Sequence, residues 1–399
     1  MTDRLVVKNL YKVFGNRPDE AMRMVREGKD KAEIFARTGQ TLGVNDASFS
    51  VKEGEIFVVM GLSGSGKSTL VRLLNRLIEP TAGQVLFDGQ DIAQMDAKAL
   101  RALRRKHISM VFQSFALMPH LSVLQNAGFG LELAGAPVAE REQAALEALA
   151  QVGLAEWAGS YPDELSGGMQ QRVGLARALA NNPSVLLMDE AFSALDPLIR
   201  TEMQDELVKL QRKDQRTIIF ISHDLDEAIR IGDRIAIMEG GNVVQVGTPE
   251  DIIKNPATPY VRSFFKNVDV TNVFSAADLA RKSQVSIIDH KGMGVRSALQ
   301  RLRQHQREFG YVISPEQAFM GVVSIDTLQT EMQANPDPKL RHAFIPGVVP
   351  ITADTAITDL FGPLASHPHG LPVVDDAGRY RGAITKNTLL EFLDQRAAA

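Results

Sequence analysis

One stretch of the chain decides its fold: Gly61-Leu62-Ser63-Gly64-Ser65-Gly66-Lys67-Ser68. It fits the pattern G-x-x-x-x-G-K-[ST], directly follows the apolar run 56–60 and opens a helical pattern at Thr69. Glycines let consecutive backbone N–H groups turn toward phosphate oxygens, and the positive end of the helix adds to this attraction. The pattern predicts that Lys67 reaches the β- and γ-phosphates of a nucleotide and that Ser68 ligates Mg²⁺. The alternative is a glycine-rich turn without a ligand.

Two further predicted buried strands lead into residues that suit the same chemistry. The run 185–188 leads into Asp189 and Glu190, and the run 217–221 leads into His223. We expect Asp189 to hold the Mg²⁺ shell and Glu190 to polarise water for in-line attack on the γ-phosphate. A lone histidine is more often structural, so His223 is at this point only a candidate for contact with the γ-phosphate. Strand, helix and strand in this order predict a doubly wound α/β sheet with the site at the carboxyl ends of its strands.

Length and composition exclude several classes of protein. At about 150 residues per domain, 399 residues predict two or three domains. Lysine and arginine total 44 against 48 acidic residues, a balance that argues against nucleic-acid binding. The absence of cysteine excludes disulfides, zinc ribbons, thiol catalysis and iron–sulfur ligation. The start lacks a signal-peptide pattern, and no apolar run approaches the ~20 residues of a membrane-spanning helix, so we expect a soluble intracellular chain.

The remaining patterns predict how the chain is divided. Residues 1–15 alternate between apolar and polar side chains, which predicts an edge strand. The segment 17–40 carries six basic and five acidic side chains and predicts two short helices, either as an exposed charged hairpin or as a contact with another domain or subunit. Near the C-terminus, a shift of 61 positions superimposes Gly321 on Gly382 and Ser324 on Thr385. This weak repeat predicts two βαββα-like copies that pack together.

A third motif settles the class: Leu165-Ser166-Gly167-Gly168-Met169-Gln170-Gln171-Arg172. It resembles the LSGGQ signature of ATP-binding-cassette (ABC) ATPases, with Met169 in place of glutamine. Gln113 then resembles the Q-loop glutamine, Phe14 the aromatic residue that stacks on adenine, and His223 the switch histidine. The D-loop of the family is matched by Ser193, Ala194, Leu195 and Asp196. The resemblance implies a P-loop ABC ATPase domain, with a RecA-like core and a helical subdomain, over residues 1–265.

The resemblance also implies a set of site residues, carried by position onto this chain. Glu190 and His223 would be catalytic, and Ser68, Gln113 and Asp189 would hold Mg²⁺. The residues that would bind ATP are Phe14, Gly61, Ser63, Gly64, Ser65, Gly66, Lys67, Ser68, Thr69 and Gln113. The residues that would bind the ATP of the partner subunit are Leu165, Ser166, Gly167, Gly168, Met169 and Gln170.

The resemblance implies that two copies work as a homodimer. Ser166 and its glycines precede a helix and form a second anion-binding site. Each ATP would lie between the phosphate loop of one copy and the signature loop of the other. ATP would then favour the closed dimer, because only that state contacts the γ-phosphate from both sides, and hydrolysis would open it.

Three features make the resemblance specific to one group within the family. They are the 17–40 insertion, the stretch 112–120 and the tandem repeat. Together they resemble the ATP-binding subunits of glycine betaine/proline betaine importers. This implies a peripheral protein on the cytoplasmic side of a bacterial inner membrane, serving osmoprotection with a transmembrane permease and an extracytoplasmic betaine-binding protein. Residues after Gln113 would help form the groove for the permease. The alternative is import of another quaternary amine or amino acid, such as choline, carnitine or proline.

The tail resembles a pair of CBS domains, over residues 272–330 and 342–396. Adenine-nucleotide-binding pairs carry Asp at the positions of Thr327 and Thr388, so nucleotide binding here is doubtful. Two other roles stay open: a spacer or dimerisation module, or a sensor of ionic strength acting through Arg296, Arg301, Arg303 and Arg307. The last would depend on attraction to anionic lipid, which salt screens over a Debye length of ~10 Å at 0.1 M.

Two other classes of function compete with transport. Cassette ATPases that act on DNA or ribosomes usually carry a long coiled coil or two fused cassettes, and neither heptads nor a second phosphate loop is found in the sequence. A nucleotide-sensing regulator built around the CBS pair would not need a complete set of hydrolytic residues.

Overall fold

The structure, a computed structural model, describes residues 2–112, 116–193, 195–265, 274–290 and 294–397. The chain separates into two units, Met1–Phe264 and Phe265–Ala399, each with its own sheets and buried core. Among the helices of the described ranges, none combines the length and the apolar character needed to cross a membrane.

The first unit contains a six-stranded sheet in the order β10-β9-β3-β8-β7-β6. Its strands are β3 (Ile56–Met60), β6 (Ile108–Val111), β7 (Val185–Asp189), β8 (Thr217–Ser222), β9 (Arg234–Glu239) and β10 (Asn242–Gly247). All pairs are parallel except that of β10 with β9. Every residue of β3, β7 and β8 is buried, as expected for parallel strands covered on both faces. The three strands predicted from apolar runs are therefore confirmed, whereas β6, β9 and β10 were not predicted.

A second, antiparallel sheet corrects one prediction. Its strands, in the order β2-β1-β4-β5, are β1 (Asp3–Phe14), β2 (Thr41–Lys52), β4 (Ala82–Phe87) and β5 (Gln90–Asp91). The expectation that residues 1–15 form an edge strand is wrong, because β1 pairs with β2 on one side and with β4 on the other. Alternation reports one buried face of a strand and carries no information on how many neighbours it has.

The helices of the first unit are α1 (Pro18–Arg26), α2 (Lys31–Thr38), α3 (Lys67–Leu74), α4 (Ala97–Lys106), α5 (Val123–Leu133), α6 (Val138–Gln151), α7 (Gly167–Ala180), α8 (Pro197–Asp214), α9 (Leu225–Ile231), α10 (Pro249–Lys254) and α11 (Pro259–Ser263). Helices α5, α6 and α7 pack on one another and form the helical subdomain. Helix α3 buries Leu70, Val71, Leu73 and Leu74 in the core that also contains Phe57 and Val59 of β3. This packing fixes the helix that follows the phosphate loop.

The 17–40 insertion forms the two predicted helices, α1 and α2, and has a buried side. Asp30 caps α2 by accepting a hydrogen bond from the backbone N–H of Glu33 at 2.7 Å, and Gly39 ends it with φ +68°. Their apolar side chains pack against Val13 of β1 and Leu42 of β2; those side chains are Ala21, Met22, Met24 and Ile34. The insertion therefore presents charges outward while its inner face covers the antiparallel sheet.

The second unit contains two three-stranded sheets of the same design. One consists of β11 (Val285–Ile288), β12 (Phe309–Ile313) and β13 (Phe319–Ser324), and the other of β14 (Ile351–Thr352), β15 (Leu371–Val374) and β16 (Tyr380–Ile384). In each, the first pair is parallel and the second antiparallel. The helices are α12 (Ala276–Leu279), α13 (Val295–Gln304), α14 (Ile325–Ala334), α15 (Phe361–Ser366) and α16 (Lys386–Ala397).

The register of these sheets preserves the repeat. Val312 pairs with Gly321 in the first sheet and Val373 with Gly382 in the second, so the offset of 61 positions holds for both partners. Thr327 and Thr388 also occupy equivalent places, since Ser324 Oγ accepts from the N–H of Thr327 at 3.1 Å and Thr385 Oγ1 from that of Thr388 at 3.1 Å. Both threonines therefore lie in the first turn of a capped helix.

The two copies of the repeat share one core. The Tyr311 hydroxyl of the first copy donates a hydrogen bond to the carbonyl of Gly370 in the second at 2.8 Å. Its ring stacks on that of Tyr380, with centroids 5.5 Å apart. The four arginines considered as ionic-strength sensors are all exposed; they are Arg296, Arg301, Arg303 and Arg307. Residues 272 and 273, where the first CBS domain was predicted to begin, lie outside the described residues.

Candidate active site

The phosphate loop runs from β3 into α3 along a path that only glycine can follow at two positions. Gly61 has φ +153° and Gly66 φ +102°. A Cβ atom on Gly61 would lie 2.3 Å from the carbonyl oxygen of Met238, and one on Gly66 would lie 2.4 Å from that of Gly43. No side chain caps the start of α3 at Gly66, so its first N–H groups face the loop. The loop between them carries Ser63, Gly64 and Ser65, and the Oγ of Ser65 is buried without a hydrogen-bond partner among the described residues.

Lys67 is held at the base of this loop. Its side chain is buried, and Nζ donates to the carbonyl oxygens of Gly61 at 2.8 Å and Leu62 at 3.0 Å. Burial lowers the pKa of Lys67, although the carboxylates of Glu190 and Asp189 act to raise it. The loop thus keeps a cation next to the N–H groups that would receive phosphate oxygens.

Ser68 and Asp189 meet directly, although 121 positions separate them. Ser68 Oγ donates to Asp189 Oδ1 at 2.8 Å, and Arg72 Nη2 contacts Asp189 Oδ2 at 3.3 Å. The Asp189 residue is only 1% exposed. Hydroxyl and carboxylate oxygens are donors that Mg²⁺ prefers, so this pair fits the predicted metal ligands. Gln113, the third predicted ligand and the Q-loop residue, lies outside the described residues.

Glu190 and His223 lie together at the same edge of the sheet. Glu190 follows β7 with φ +48°, an unusual value for a residue other than glycine. Its carbonyl oxygen accepts hydrogen bonds from the N–H of Ser193 at 3.2 Å and from Ser193 Oγ at 2.9 Å. His223 Nδ1 lies 3.8 Å from Glu190 Oε1. The structure therefore brings together the carboxylate and the histidine that were predicted from separate strands.

The predicted signature loop opens α7. Ser166 Oγ accepts a hydrogen bond from the N–H of Met169 at 3.3 Å, so Gly167 begins the helix. The Gln170 side chain donates to the carbonyl oxygens of Pro162 at 2.8 Å and Leu165 at 3.2 Å. The loop is thus a capped helix N-terminus, which favours an anion. Its hydrogen bonds are local, unlike the long-range pair of Ser68 and Asp189.

The predicted D-loop leads into α8. Asp196 caps that helix by accepting from the N–H of Ile199 at 3.1 Å. A Cβ atom on Gly168 would lie 3.3 Å from Ile199 Cγ2 and 3.6 Å from Leu195 Cδ2. The signature helix therefore packs closely against the D-loop of the same chain. Ala194 lies outside the described residues.

Phe14, the predicted adenine-stacking residue, ends β1 beside the phosphate loop. A Cβ atom on Gly43 would lie 2.7 Å from the Phe14 ring and 3.5 Å from Thr69 Cγ2. The Phe14 residue is 39% exposed, and Lys12 Nζ lies 5.2 Å from the centre of its ring. Gly43 thus leaves room for the ring of Phe14 on one side and Thr69 on the other, and the Phe14 residue stays partly exposed.

Two residues of the site were not predicted from the sequence. Arg72 lies four residues after Ser68 on α3, and this helical spacing could have been used to predict that both face the same site. Tyr260 of α11 has no such signal. Its hydroxyl accepts from the N–H of Leu62 at 3.2 Å and donates to the carbonyl of Met238 at 3.2 Å. It therefore supports the phosphate loop from a distant part of the chain.

A mostly apolar cleft of about 400 Å³ lies where the groove after Gln113 was expected. It lies between the six-stranded sheet and the helical subdomain. Its lining includes Leu77, Met110, Phe112, Ala116, Met118 and Phe129.

Comparison with known protein families assigns two parts of the chain. The model of the ABC transporter family matches residues 44–193, and that of the CBS domain matches residues 341–395. The chain is 59% identical over 396 residues to the glycine betaine/proline betaine transport ATP-binding protein of Salmonella typhimurium, covering 99% of this chain and 98% of the relative. It is 46% identical over 390 residues to the glycine betaine/carnitine transport ATP-binding protein of Listeria monocytogenes, covering 98% and 97%.

A solved structure also resembles the first part of the chain. It is a dimeric structure of an ATP-binding cassette in a post-hydrolysis state, bound to ADP and phosphate. The TM-score is 0.53 with 32% sequence identity, and the match covers 61% of this chain and 98% of that one.

Proposed function

Since the chain belongs to the family of ATP-binding subunits of glycine betaine transport systems, we propose that it hydrolyses ATP to drive import of glycine betaine and proline betaine. One observation carries the proposal: 59% identity along nearly the full length of both chains. The site geometry supports it, because the phosphate loop, the Ser68–Asp189 pair and the Glu190–His223 pair meet at one edge of the sheet.

In this proposal the phosphate loop binds the triphosphate of ATP. Backbone N–H groups at the start of α3 and the Lys67 ammonium take the β- and γ-phosphate oxygens, while Phe14 stacks on adenine. Ser68, Asp189 and Gln113 would hold Mg²⁺, which would supply positive charge to offset the negative charge of the phosphates. Glu190 orients a water and accepts its proton as that water attacks the γ-phosphorus. The bond to the β-phosphate oxygen breaks, and ADP leaves.

We further propose that hydrolysis requires a second copy of the chain. The signature residues 165–170 would contact the ATP held by the partner subunit, and His223 would contact the γ-phosphate from its own side. The dimeric arrangement of the resembling cassette supports this step. ATP then stabilises the closed dimer, and its cleavage removes the ligand that both subunits share.

The proposed partners follow from the same family. A transmembrane permease would dock in the apolar cleft beside Phe112 and Met118, and an extracytoplasmic betaine-binding protein would act through that permease. The chain would then be peripheral on the cytoplasmic side of the bacterial inner membrane and would serve osmoprotection. The exposed charged side of the 17–40 insertion is a second surface available to a partner.

The substrate is tested by purifying the chain with its membrane partner and measuring ATP turnover. We expect glycine betaine and proline betaine, with their binding protein, to accelerate turnover. Carnitine is the second candidate, because the Listeria relative is named for glycine betaine and carnitine. Stimulation by carnitine, choline or proline alone would contradict the proposed substrate, and absence of ATP hydrolysis would contradict the whole proposal.

A further inference from the structure

Arg200, in the first turn of α8, contacts two segments that follow the proposed catalytic residues. One is the D-loop segment after Glu190, and the other is the turn that contains His223. Its Nη2 donates to the carbonyl oxygen of Leu195 at 3.1 Å, within the D-loop segment 193–196. Its Nη1 lies 3.5 Å from Asp224 Oδ2, directly after His223. A guanidinium is a planar fork and can serve two acceptors in different directions, so one side chain ties both segments together.

The segment 193–196 is anchored at its other end to Glu190. The Ser193 N–H and Oγ both donate to the carbonyl oxygen of Glu190. One end of this short segment therefore holds the backbone of Glu190, and the other reaches the turn of His223 through Arg200.

Further hydrogen bonds hold Asp224 within the turn 222–224 and against α9. Its Oδ1 accepts from the N–H of Glu227 at 3.2 Å, and its own N–H donates to Ser222 Oγ at 2.9 Å. Ser222 Oγ in turn donates to the carboxylate of Glu227. The His223 turn is thus fastened to α9 on one side and, through Arg200, to α8 on the other.

Beneath this turn lies a buried polar network. Gln204 Nε2 of α8 donates to Glu227 Oε1 at 3.0 Å, and Gln204, Ser222 and Glu227 are all buried. Burial raises the pKa of Glu227, while the hydrogen bonds from Ser222 and Gln204 act to lower it. Satisfied buried networks of this kind specify one arrangement of the elements they join, here the junction of α8, α9 and the end of β8.

We propose that Arg200 is a positioning residue that couples the D-loop segment 193–196 to His223. The inference rests on the proposed function, in which that segment meets the partner subunit in the closed dimer. When the partner fixes the segment, Arg200 carries the displacement to Asp224 and aligns His223 with Glu190. Without Arg200, ATP still binds at the phosphate loop, but the catalytic pair is less often aligned.

The test measures steady-state ATP hydrolysis by the full-length chain with its permease, for Arg200→Gln, Asp224→Asn and the double variant. Asn remains a good helix N-cap, so Asp224→Asn removes the charge facing Arg200 without uncapping α9. We expect kcat to fall about 10- to 100-fold in each single variant, because misplacement of about 1 Å costs of order 100-fold, with KM for ATP changed less than about threefold. The double variant should be no slower than the slower single variant, because both break one link.

Arg230→Gln is the matched control. Arg230 Nη2 of α9 pairs with Asp205 Oδ1 of α8 at 2.8 Å, so it bridges the same two helices from the surface without reaching the D-loop. We expect it to retain wild-type kcat. Loss of kcat in Arg230→Gln equal to that in Arg200→Gln would overturn the inference, as would a change confined to KM or additive losses in the double variant.

The outcomes separate this inference from the proposed function. If the wild-type complex does not hydrolyse ATP, the proposed function fails and the inference fails with it. If the wild type hydrolyses ATP and Asp224→Asn retains full kcat, only the coupling role is refuted. Thermal melting identifies a variant that does not fold, and the Asp224→Asn result then decides.

Discussion

At the scale of single residues, Asp189 and Glu190 are neighbours in the chain with different surroundings. Asp189 ends β7, is 1% exposed and binds Ser68 and Arg72. Glu190 follows the strand with φ +48°, and its Oε1 lies 3.8 Å from His223 Nδ1. A buried carboxylate beside a hydroxyl suits a metal, whereas one near the surface suits proton transfer to and from water. The surroundings of these two neighbouring carboxylates thus suit the two different roles proposed for them.

Glu190→Gln is predicted to abolish ATP turnover while leaving ATP binding intact. Glutamine keeps the shape of the side chain but cannot accept the proton of the attacking water, and general-base catalysis contributes about 10²- to 10⁴-fold. Unhydrolysed ATP should hold the dimer closed, which size-exclusion chromatography with ATP and magnesium would detect. Brisk hydrolysis, or a variant that stays monomeric with ATP, would contradict the assigned role.

We predict that kcat/KM for ATP falls at alkaline pH because Lys67 loses its proton. Burial lowers the pKa of Lys67 from the ordinary value for lysine, so its ammonium loses its proton at a lower pH than that of an exposed lysine. The neutral amine no longer attracts phosphate, and kcat/KM for ATP should fall as pH rises through the lowered pKa. Lys67→Arg keeps its charge and should show no such fall, whatever its absolute activity, while Lys67→Ala should bind nucleotide weakly at every pH. Parallel pH profiles for the wild type and Lys67→Arg would contradict this explanation.

At the scale of elements, the 17–40 insertion is part of the wall of the cassette. It follows the end of β1 at Phe14 and leads into β2, where a Cβ atom on Gly43 would lie 2.7 Å from the Phe14 ring. Its inner side chains belong to the same cluster as Val13 and Leu42, the residues that flank this junction. The packing of α1 and α2 therefore bears on the position of the residue proposed to stack on adenine.

Ile34→Ala is predicted to destabilise the insertion and weaken ATP binding. Ile34 is fully buried, and truncating a buried isoleucine costs about 2–5 kcal/mol. Phe35→Ala, at the next position of α2, is the matched control because that residue is 57% exposed, and we expect a change within about 0.5 kcal/mol. Thermal unfolding and the binding of a fluorescent ATP analogue would check both. Equal effects of the two substitutions would contradict the packing described.

At the scale of the whole molecule, the chain consists of two units with separate cores. The first unites the parallel and antiparallel sheets around the phosphate loop, and the second joins two copies of one repeat. In the second unit, the two copies share one hydrophobic cluster, because Tyr311 of the first copy lies in it with Tyr380 and Ala383 of the second. The repeat is therefore stable as a pair.

Tyr311→Phe is predicted to lower the stability of the second unit alone. The Tyr311 hydroxyl donates to Gly370, and losing a buried hydrogen bond of this kind costs about 1–2 kcal/mol. Tyr380→Phe is the control, because its buried hydroxyl has no hydrogen-bond partner in the part of the chain that the structure describes. That substitution should be neutral or stabilising. Calorimetry of the full-length protein should show that Tyr311→Phe shifts only one of two transitions; a shift of both, or an equal effect of the two substitutions, would contradict the prediction.

Much of the candidate site could be predicted from local sequence. The glycines and Lys67 of the phosphate loop, the buried strands β3, β7 and β8, and the carboxylates at the end of β7 all follow from patterns a few residues long. Such patterns work because backbone conformation, capping and the burial of a strand depend on near neighbours. The strand β6 was not predicted, since a four-residue strand with three apolar residues and a serine carries too little signal.

The sequence by itself determined the chemistry of the phosphate loop, the capped start of α7 and the register of the C-terminal repeat. Only the tertiary structure decided that β1 is an inner strand, that Ser68 meets Asp189, that Tyr260 supports Leu62, and that Arg200 joins Leu195 to Asp224. The physical reason is the separation along the chain of the residues that determine each feature. Local conformation depends on the few residues around a position, whereas a contact between distant residues forms only when the packing of all intervening elements brings their side chains within hydrogen-bond distance.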